Sequence, residues 1–184
     1  MNQFISTVDL DSSLEFIKQS PKHEGVIELI VCRPQTNARQ ELTEAELTIH
    51  EGLVGDIWRT MLDKGINKYV NPDTQLALIN SRVISAITQN KNNWKLAGDQ
   101  FYVDFDLGKD NLPVGARLKI GSAIIEVTKE PHLACSKFSK RFGKDAVRFV
   151  NSSMGKSLNL RGIYARVISP GKVELGSCIK KLEV

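Results

Sequence analysis

The stretch FYVDFDL, residues 101–107, alternates large apolar side chains with more polar ones. One side of an extended chain would carry Phe101, Val103, Phe105 and Leu107, and the other side Tyr102, Asp104 and Asp106. A period of two residues is typical of a β-strand that turns one face to a core and the other to water. The stretch therefore predicts a strand with one buried face and one wet face.

Comparable strand patterns recur along most of the chain. The others are GVIELIVCRP (25–34), EAELTIHEG (44–52), TQLALIN (74–80), ARLKIG (116–121), AIIEVTKEP (123–131) and RGIYARVISPG (161–171), with one or two short strands in KVELGSCIKKLEV (172–184). Helical periodicity is confined to SRVISAITQ (81–89) and KDAVRFVNSS (144–153), and Gly143 is expected to interrupt the helix around it. Many short strands with few helices predict a mainly β fold whose twisted sheet closes, or nearly closes, into a barrel.

The N-terminal segment has a different pattern. Ser12 and Glu15 have the spacing of a capping box, and Pro21 follows the predicted end of a short helix. No repeat, low-complexity tract or Pro/Gly/Ser linker divides the remainder. We therefore expect a helical extension over residues 1–24 and a single domain over residues 25–184.

Composition is that of an ordinary globular protein. The chain has 184 residues, of which 41% are apolar and 25% charged, enough for one domain with its own core. The first residues lack a basic start and an apolar stretch, and no apolar run approaches the ~20 residues that cross a bilayer. Three widely spaced cysteines favour reduced thiols. These features predict a cytoplasmic protein without a membrane partner.

The net charge of +4 is unevenly distributed. Seven cations stand against one acid, Asp145, in the segment from residue 137 to 161: Lys137, Lys140, Arg141, Lys144, Arg148, Lys156 and Arg161. The segment lacks the length and the interleaved aromatics of a nucleic-acid arm, so no nucleic-acid partner is expected. Two interpretations stay open, a solvated helix face or a seat for an anion. Arg161 is the better single candidate, because a guanidinium before Gly162 at a strand start could bind phosphate in a bidentate way.

Cys135 differs from the other two cysteines. Cys32 and Cys178 lie in strand-like runs and are most simply small apolar fillers, whereas Cys135 lies at the N-terminal edge of a predicted helix, where free N–H groups favour a thiolate. The residues leave open whether it is a reactive thiol or a buried small side chain. His132 could orient the loop or stabilise the thiolate, and no second Cys or His pair accompanies the two for a closed zinc site.

Five motifs occur in a fixed order: GLVGDIW, LAGDQFYVDFDL, LPVGARLKIGSAIIEVT, PHLACSKFSKRFG and LRGIYARVISPGKVELG. This set, which covers the chain from about Gly25 onward, resembles the MOSC domain, named after the C-terminal domain of molybdenum cofactor sulfurase, in its bacterial stand-alone form. The resemblance implies a β-barrel of the pyruvate-kinase-barrel-like type that binds a molybdopterin cofactor. It also implies one functional cysteine, which maps onto Cys135.

The resemblance further implies roles for named residues. Cys135 would be catalytic with His132 beside it, and would ligate molybdenum if the metal binds. The motifs map Arg161, Asp99, Gln100, Gly55 and Asp56 onto cofactor-binding positions, and Asp99 and Gln100 stand where many members have Glu-Asn. The phosphate of such a cofactor needs cations, which Arg161, Lys137 and Lys156 could supply. Relatives use the cysteine to carry sulfur or to reduce N-hydroxylated compounds, with a separate electron-donor or sulfur-donor protein as partner. The family is also associated with pyridoxal phosphate, and this association is the sole reason to consider it as a cofactor.

A second class of function remains open beside this one. The chain could be a non-catalytic binding module that uses the basic segment 137–161 to hold a phosphate-bearing ligand or an anionic partner.

Overall fold

In the computed structural model, which describes residues 4–59 and 70–183, strands form the frame of the fold. The strands are β1 (Glu24–Cys32), β2 (Gln40–Leu42), β3 (Glu44–Thr48), β4 (Gly52–Leu53), β5 (Leu76–Asn80), β6 (Phe101–Asp104), β7 (Arg117–Ile120), β8 (Ala123–Val127), β9 (Ile163–Ser169), β10 (Gly171–Glu174) and β11 (Cys178–Lys181). The helices that lie wholly within the described residues are α1 (Thr7–Ser12), α2 (Leu14–Lys18), α3 (Ser81–Thr88), α4 (Ser136–Asn151) and α5 (Ser153–Ser157), with 3-10 turns at Pro72–Thr74 and Lys91–Ala97.

Seven of the described strands close into a barrel. Their order is β11-β7-β8-β9-β5-β6-β1, and β1 pairs back with β11 where Val26 lies opposite Cys178. The β5–β6 pair is parallel and its neighbours are antiparallel. Strand β2 pairs antiparallel with the end of β1, outside the closed set of strands. Strands β3, β4 and β10 form a separate small sheet. The predicted mainly β barrel is confirmed, and closure leaves the seven strands without a free edge.

The inner face of β6 fills the barrel as its sequence predicts. Phe101 and Val103 of β6, and Phe105 directly after it, are completely buried in an apolar cluster inside the barrel. The prediction that the other face is wet is wrong at Tyr102, which is also completely buried and donates its hydroxyl to the Trp94 carbonyl at 2.8 Å. The reason is a second apolar cluster on the outside of the barrel, where helices cover that wall.

The N-terminal segment forms two helices rather than one. Ser6 caps α1 by accepting the Asp9 N–H at 3.3 Å, and Ser12 donates its hydroxyl to the Asp9 carbonyl at 2.7 Å. The predicted capping box at Ser12 is therefore wrong, because this serine ends α1. Leu10 and Ile17 are nevertheless buried in the outer cluster, which attaches both helices to the barrel wall.

Two further predictions concern glycine and cysteine. Gly143 interrupts α4 as expected, with φ 89° and ψ 166°. Cys32 is buried as predicted, but Cys178 is exposed at the start of β11, so its assignment as an apolar filler is wrong. The alternation of β11 turns Ile179 inward and leaves its neighbour outside. Within residues 4–59 and 70–183 no helix combines the length and apolar character that a membrane span needs.

Candidate functional site

Cys135 is the N-cap residue of α4, at the edge of the helix where the sequence places it. Its side chain is exposed. Partial burial raises the pKa of the thiol, but the N–H groups of Phe138 and Lys137 and the charge of Arg161 outweigh that effect and bring the pKa below its ordinary value. The structure therefore presents an accessible thiol with increased thiolate character.

The loop before Cys135 is held by the far end of the same helix. Asn151 donates from Nδ2 to the Ala134 carbonyl at 3.0 Å and accepts the Ala134 N–H on Oδ1 at 3.0 Å. Both backbone groups of the preceding residue are thus bound by one side chain, which restricts where the thiol can lie.

Arg161 is buried and forms an ion pair with the completely buried Asp99. Its Nη1 lies 2.9 Å from both carboxylate oxygens, and its Nη2 donates to the Ala97 carbonyl at 3.1 Å. The guanidinium also lies 4.9 Å from the centre of the Phe138 ring. Burial raises the pKa of Asp99, and the charges of Arg161 and Arg33 oppose that rise. The Arg161 Nε atom is buried and has no hydrogen-bond partner.

His132 packs next to this ion pair. Its Nδ1 lies 3.6 Å from Asp99 Oδ1, beyond hydrogen-bond distance, and has no partner, while its ring centre lies 4.1 Å from that of Tyr164. Burial, followed by the charges of Arg161 and Arg33, lowers the pKa of His132 well below its ordinary value, so the imidazole is neutral at neutral pH. Gly162 makes room for it, since a Cβ at that position would lie 3.3 Å from Nδ1.

A pocket of about 550 Å³ opens beside these residues. Its wall includes His132, Leu133, Arg161 and Tyr164, so two of the described residues with an unpartnered buried nitrogen, His132 and Arg161, line it. Three lysines also line it, Lys109, Lys129 and Lys156, together with the single carboxylate of Glu130. The pocket thus combines polar groups that lack partners with an excess of positive charge. Cys135 lies beside this wall rather than in it, two residues after Leu133.

The remaining predicted site residues do not line the pocket. Asp56, which follows Gly55, accepts hydrogen bonds on both carboxylate oxygens from Arg33, at 2.8 and 2.9 Å. Gln100 is completely buried and accepts the Ala77 N–H at 2.9 Å in the barrel wall. Lys137 is exposed on the first turn of α4. The structure therefore brings together Asp99, His132, Arg161 and the pocket residue Lys156 near Cys135, and for all of these residues a role in cofactor binding stays a prediction.

The residues Arg33 and Tyr164 and the pocket lysines Lys109 and Lys129 were not among the predicted site residues. Arg33 connects the Asp56 loop to residue 98, because its Nη1 donates to the Gly98 carbonyl at 3.0 Å. Tyr164 packs on His132 from β9. Arg33 could have been noticed as a cation directly after a buried strand, and Tyr164 as an aromatic residue two positions after Gly162. No group of three or more His, Cys, Asp or Glu side chains suited to a metal occurs in the described part of the chain.

Comparison with known proteins identifies the family. The MOSC domain matches residues 68–180, more than half of the chain. The chain belongs to the MOSC domain family. No curated protein matches it significantly.

Several solved structures share the fold of this chain at low sequence identity. The YuaD protein from Bacillus subtilis is 15% identical with a TM-score of 0.63, and the match covers 86% of this chain and 95% of that one. YiiM from Geobacillus stearothermophilus is 16% identical with a TM-score of 0.59, covering 87% and 75%. YiiM from Escherichia coli is 20% identical with a TM-score of 0.55, covering 86% and 70%. At these sequence identities the comparison supports a shared fold and nothing beyond it.

Proposed function

We propose that this MOSC protein binds a molybdopterin-type cofactor in the pocket beside Cys135. The MOSC family is associated with the molybdenum cofactor, which supports this choice of ligand. The observation that carries the proposal is a pair of buried nitrogens without partners, His132 Nδ1 and Arg161 Nε, on residues that line one lysine-rich pocket. An unsatisfied buried polar atom costs about 1–3 kcal/mol, which a ligand that pairs with it recovers.

The residues present fit the chemical parts of such a cofactor. A pterin has polar ring edges that can pair with His132 and Arg161, and its phosphate needs cations, which Lys109, Lys129 and Lys156 supply. Asp99 holds the Arg161 guanidinium in place. When bound, the cofactor supplies a redox-active molybdenum, for which the Cys135 thiolate is a suitable soft donor.

Two uses of Cys135 follow from its exposure and lowered pKa. In the reduction of N-hydroxylated compounds, the thiolate would hold the metal end of the cofactor. In sulfur transfer, the thiolate attacks the outer sulfur of a donor persulfide; a new S–S bond forms on Cys135, the donor S–S bond breaks, and the donor leaves as a thiolate. The position of Cys135 outside the pocket wall favours sulfur transfer as the second candidate, because a donor protein could reach it.

The test is cofactor retention in a host that makes the molybdenum cofactor. Molybdenum per chain and fluorescence of the oxidised, released pterin are measured for wild type, K156Q and the matched control K140Q, which removes an exposed lysine of α4 that does not line the pocket. We expect pterin in wild type and K140Q, and at least about tenfold weaker retention in K156Q. Wild type without pterin or molybdenum would contradict the proposal and favour the binding module.

A Cys135→Ser variant separates the two uses of the thiol. We expect C135S to keep its pterin, because the residue lies outside the pocket wall. Loss of molybdenum in C135S indicates the metal-ligand role. Loss of a sulfur adduct on the intact protein, with molybdenum unchanged, indicates the carrier role. A variant that retains both the metal and the adduct removes Cys135 from the function.

A further inference from the structure

A cluster of arginines surrounds the end of the 3-10 turn Lys91–Ala97, outside the pocket. Three consecutive carbonyls there each accept a hydrogen bond from a different arginine: Leu96 from Arg141 at 2.7 Å, Ala97 from Arg161 at 3.1 Å and Gly98 from Arg33 at 3.0 Å. Carbonyls at the end of a helical turn attract cations. The turn therefore gathers guanidinium groups in a small region.

Only part of this positive charge is neutralised. Arg33 is paired with Asp56, and Arg161 with Asp99. Arg39 and Arg141 have no carboxylate partner among the described residues. The Arg39 Nη1 donates to the neighbouring Ala38 carbonyl, and its Nε is buried without a partner.

The surroundings of Arg39 are unfavourable to its charge. Burial lowers the pKa of Arg39, and the positive charges of Arg141 and Arg33 lower it further. Guanidinium groups stay protonated in proteins, so the repulsion is present in the folded chain. An anion between these arginines would remove it.

The backbone of Gly98 lies next to two of the guanidinium groups. Its φ is 92°, a backbone conformation that favours glycine. A Cβ built on Gly98 would lie 3.3 Å from Arg39 Nη2 and 4.0 Å from Arg141 Nη1. Both unneutralised guanidinium groups therefore lie within 4.0 Å of one point above Gly98.

We propose that Arg39 and Arg141 bind the phosphate group of a small anion, either free phosphate or a phosphate ester, over Gly98. A guanidinium matches phosphate in a bidentate way, and two of them supply the two charges of the group. Neither arginine lines the 550 Å³ pocket. The site is thus separate from the pocket of the proposed function and does not depend on it.

The experiment is calorimetric titration of the full chain with inorganic phosphate, at ionic strength held constant with sodium chloride. The variants are R39Q, R141Q and the matched control K140Q, which removes the exposed charge directly before Arg141. We expect saturable binding to wild type, at least about tenfold weaker binding to R39Q and R141Q, and less than about twofold change in K140Q. A parallel titration with glycerol 3-phosphate tells whether the site admits an ester or free phosphate alone.

A stability measurement distinguishes an anion site from a purely structural arginine. Without phosphate, R39Q should unfold at the same temperature as wild type or higher, because it loses the repulsion from Arg141 and Arg33; should R39Q fail to fold, R141Q alone carries the binding test. The proposal is overturned if wild type shows no saturable binding, or if R39Q and R141Q weaken it no more than K140Q. It is also overturned if K156Q abolishes binding, because the phosphate would then occupy the pocket.

Discussion

The buried ion pair between Asp99 and Arg161 makes a strong prediction about stability. An Asp99→Asn substitution keeps the shape of the side chain but removes the charge that faces Arg161, whose surface is only 7% exposed. The guanidinium would then be a buried charge without a counterion. Breaking a buried pair from one side costs about 3–5 kcal/mol.

The expected change in melting temperature follows from the size of the chain. For a protein of this length, 1 kcal/mol corresponds to about 2–4 °C, so D99N should melt roughly 6–20 °C below wild type. Asp104→Asn is the matched control, because Asp104 makes a similar two-point contact with Arg82, at 2.8 and 3.1 Å, but both side chains are partly exposed. We expect D104N to cost about 1 kcal/mol or less. Circular dichroism during heating gives the melting temperatures of both variants, and circular dichroism during denaturant titration gives their free energies of unfolding.

A double variant tests the reason for the cost. D99N/R161M removes both charges, and the methionine can pack on the Phe138 ring that now lies beneath the guanidinium. Replacing a buried ion pair by apolar groups is often neutral, so most of the lost stability should return. If D99N is no less stable than D104N, or if the double variant is as unstable as D99N, the uncompensated charge is not the cause.

Two further predictions use residues with built-in controls. Cys135 and Cys178 are both exposed but their pKa values shift in opposite directions, downward and upward, so iodoacetamide should modify Cys135 faster at pH 7 and the difference should shrink above about pH 9. Peptide mass spectrometry measures the two rates, and equal rates at pH 7 would contradict the shift. Gly162→Ala adds a Cβ that collides with the Leu78 carbonyl at φ 107°, whereas Gly115→Ala has φ 87° but no atom within 4 Å. The free energy of unfolding of G162A should therefore be lower than that of G115A by at least about 2 kcal/mol. Equal losses would show that the positive φ, and not the collision with Leu78, causes the destabilisation.

Local sequence patterns predicted the inside of the barrel better than its outside. The apolar positions of β6 are all interior because a barrel has one inner face, which a period of two residues reveals. Tyr102 is buried for another reason, since its outer wall is covered by residues such as Phe138 and Phe142 that lie about forty positions away. No pattern within seven residues can show that a distant helix will cover a strand.

In the candidate site, too, features that depend on neighbouring residues could be predicted and features that depend on distant residues could not. The position of Cys135 at a helix N-terminus could be predicted, because it depends on the residues that directly follow it. The pairing of Asp99 with Arg161 could not, since 62 residues separate them. The lysines of the pocket, Lys109 and Lys129, come from two loops that the barrel brings together.

The two Gly-Asp motifs, Gly55-Asp56 and Gly98-Asp99, have a common arrangement that changes how they are interpreted. In each, the buried carboxylate binds an arginine with both oxygens, Asp56 with Arg33 and Asp99 with Arg161. Each arginine in turn donates to a carbonyl in the short segment of residues 97–98. A carboxylate that is occupied in this way has little capacity left for a ligand. We therefore expect both aspartates to act on the proposed ligand by positioning. They fix guanidinium groups, and Arg161, which lines the pocket, keeps an unpartnered Nε.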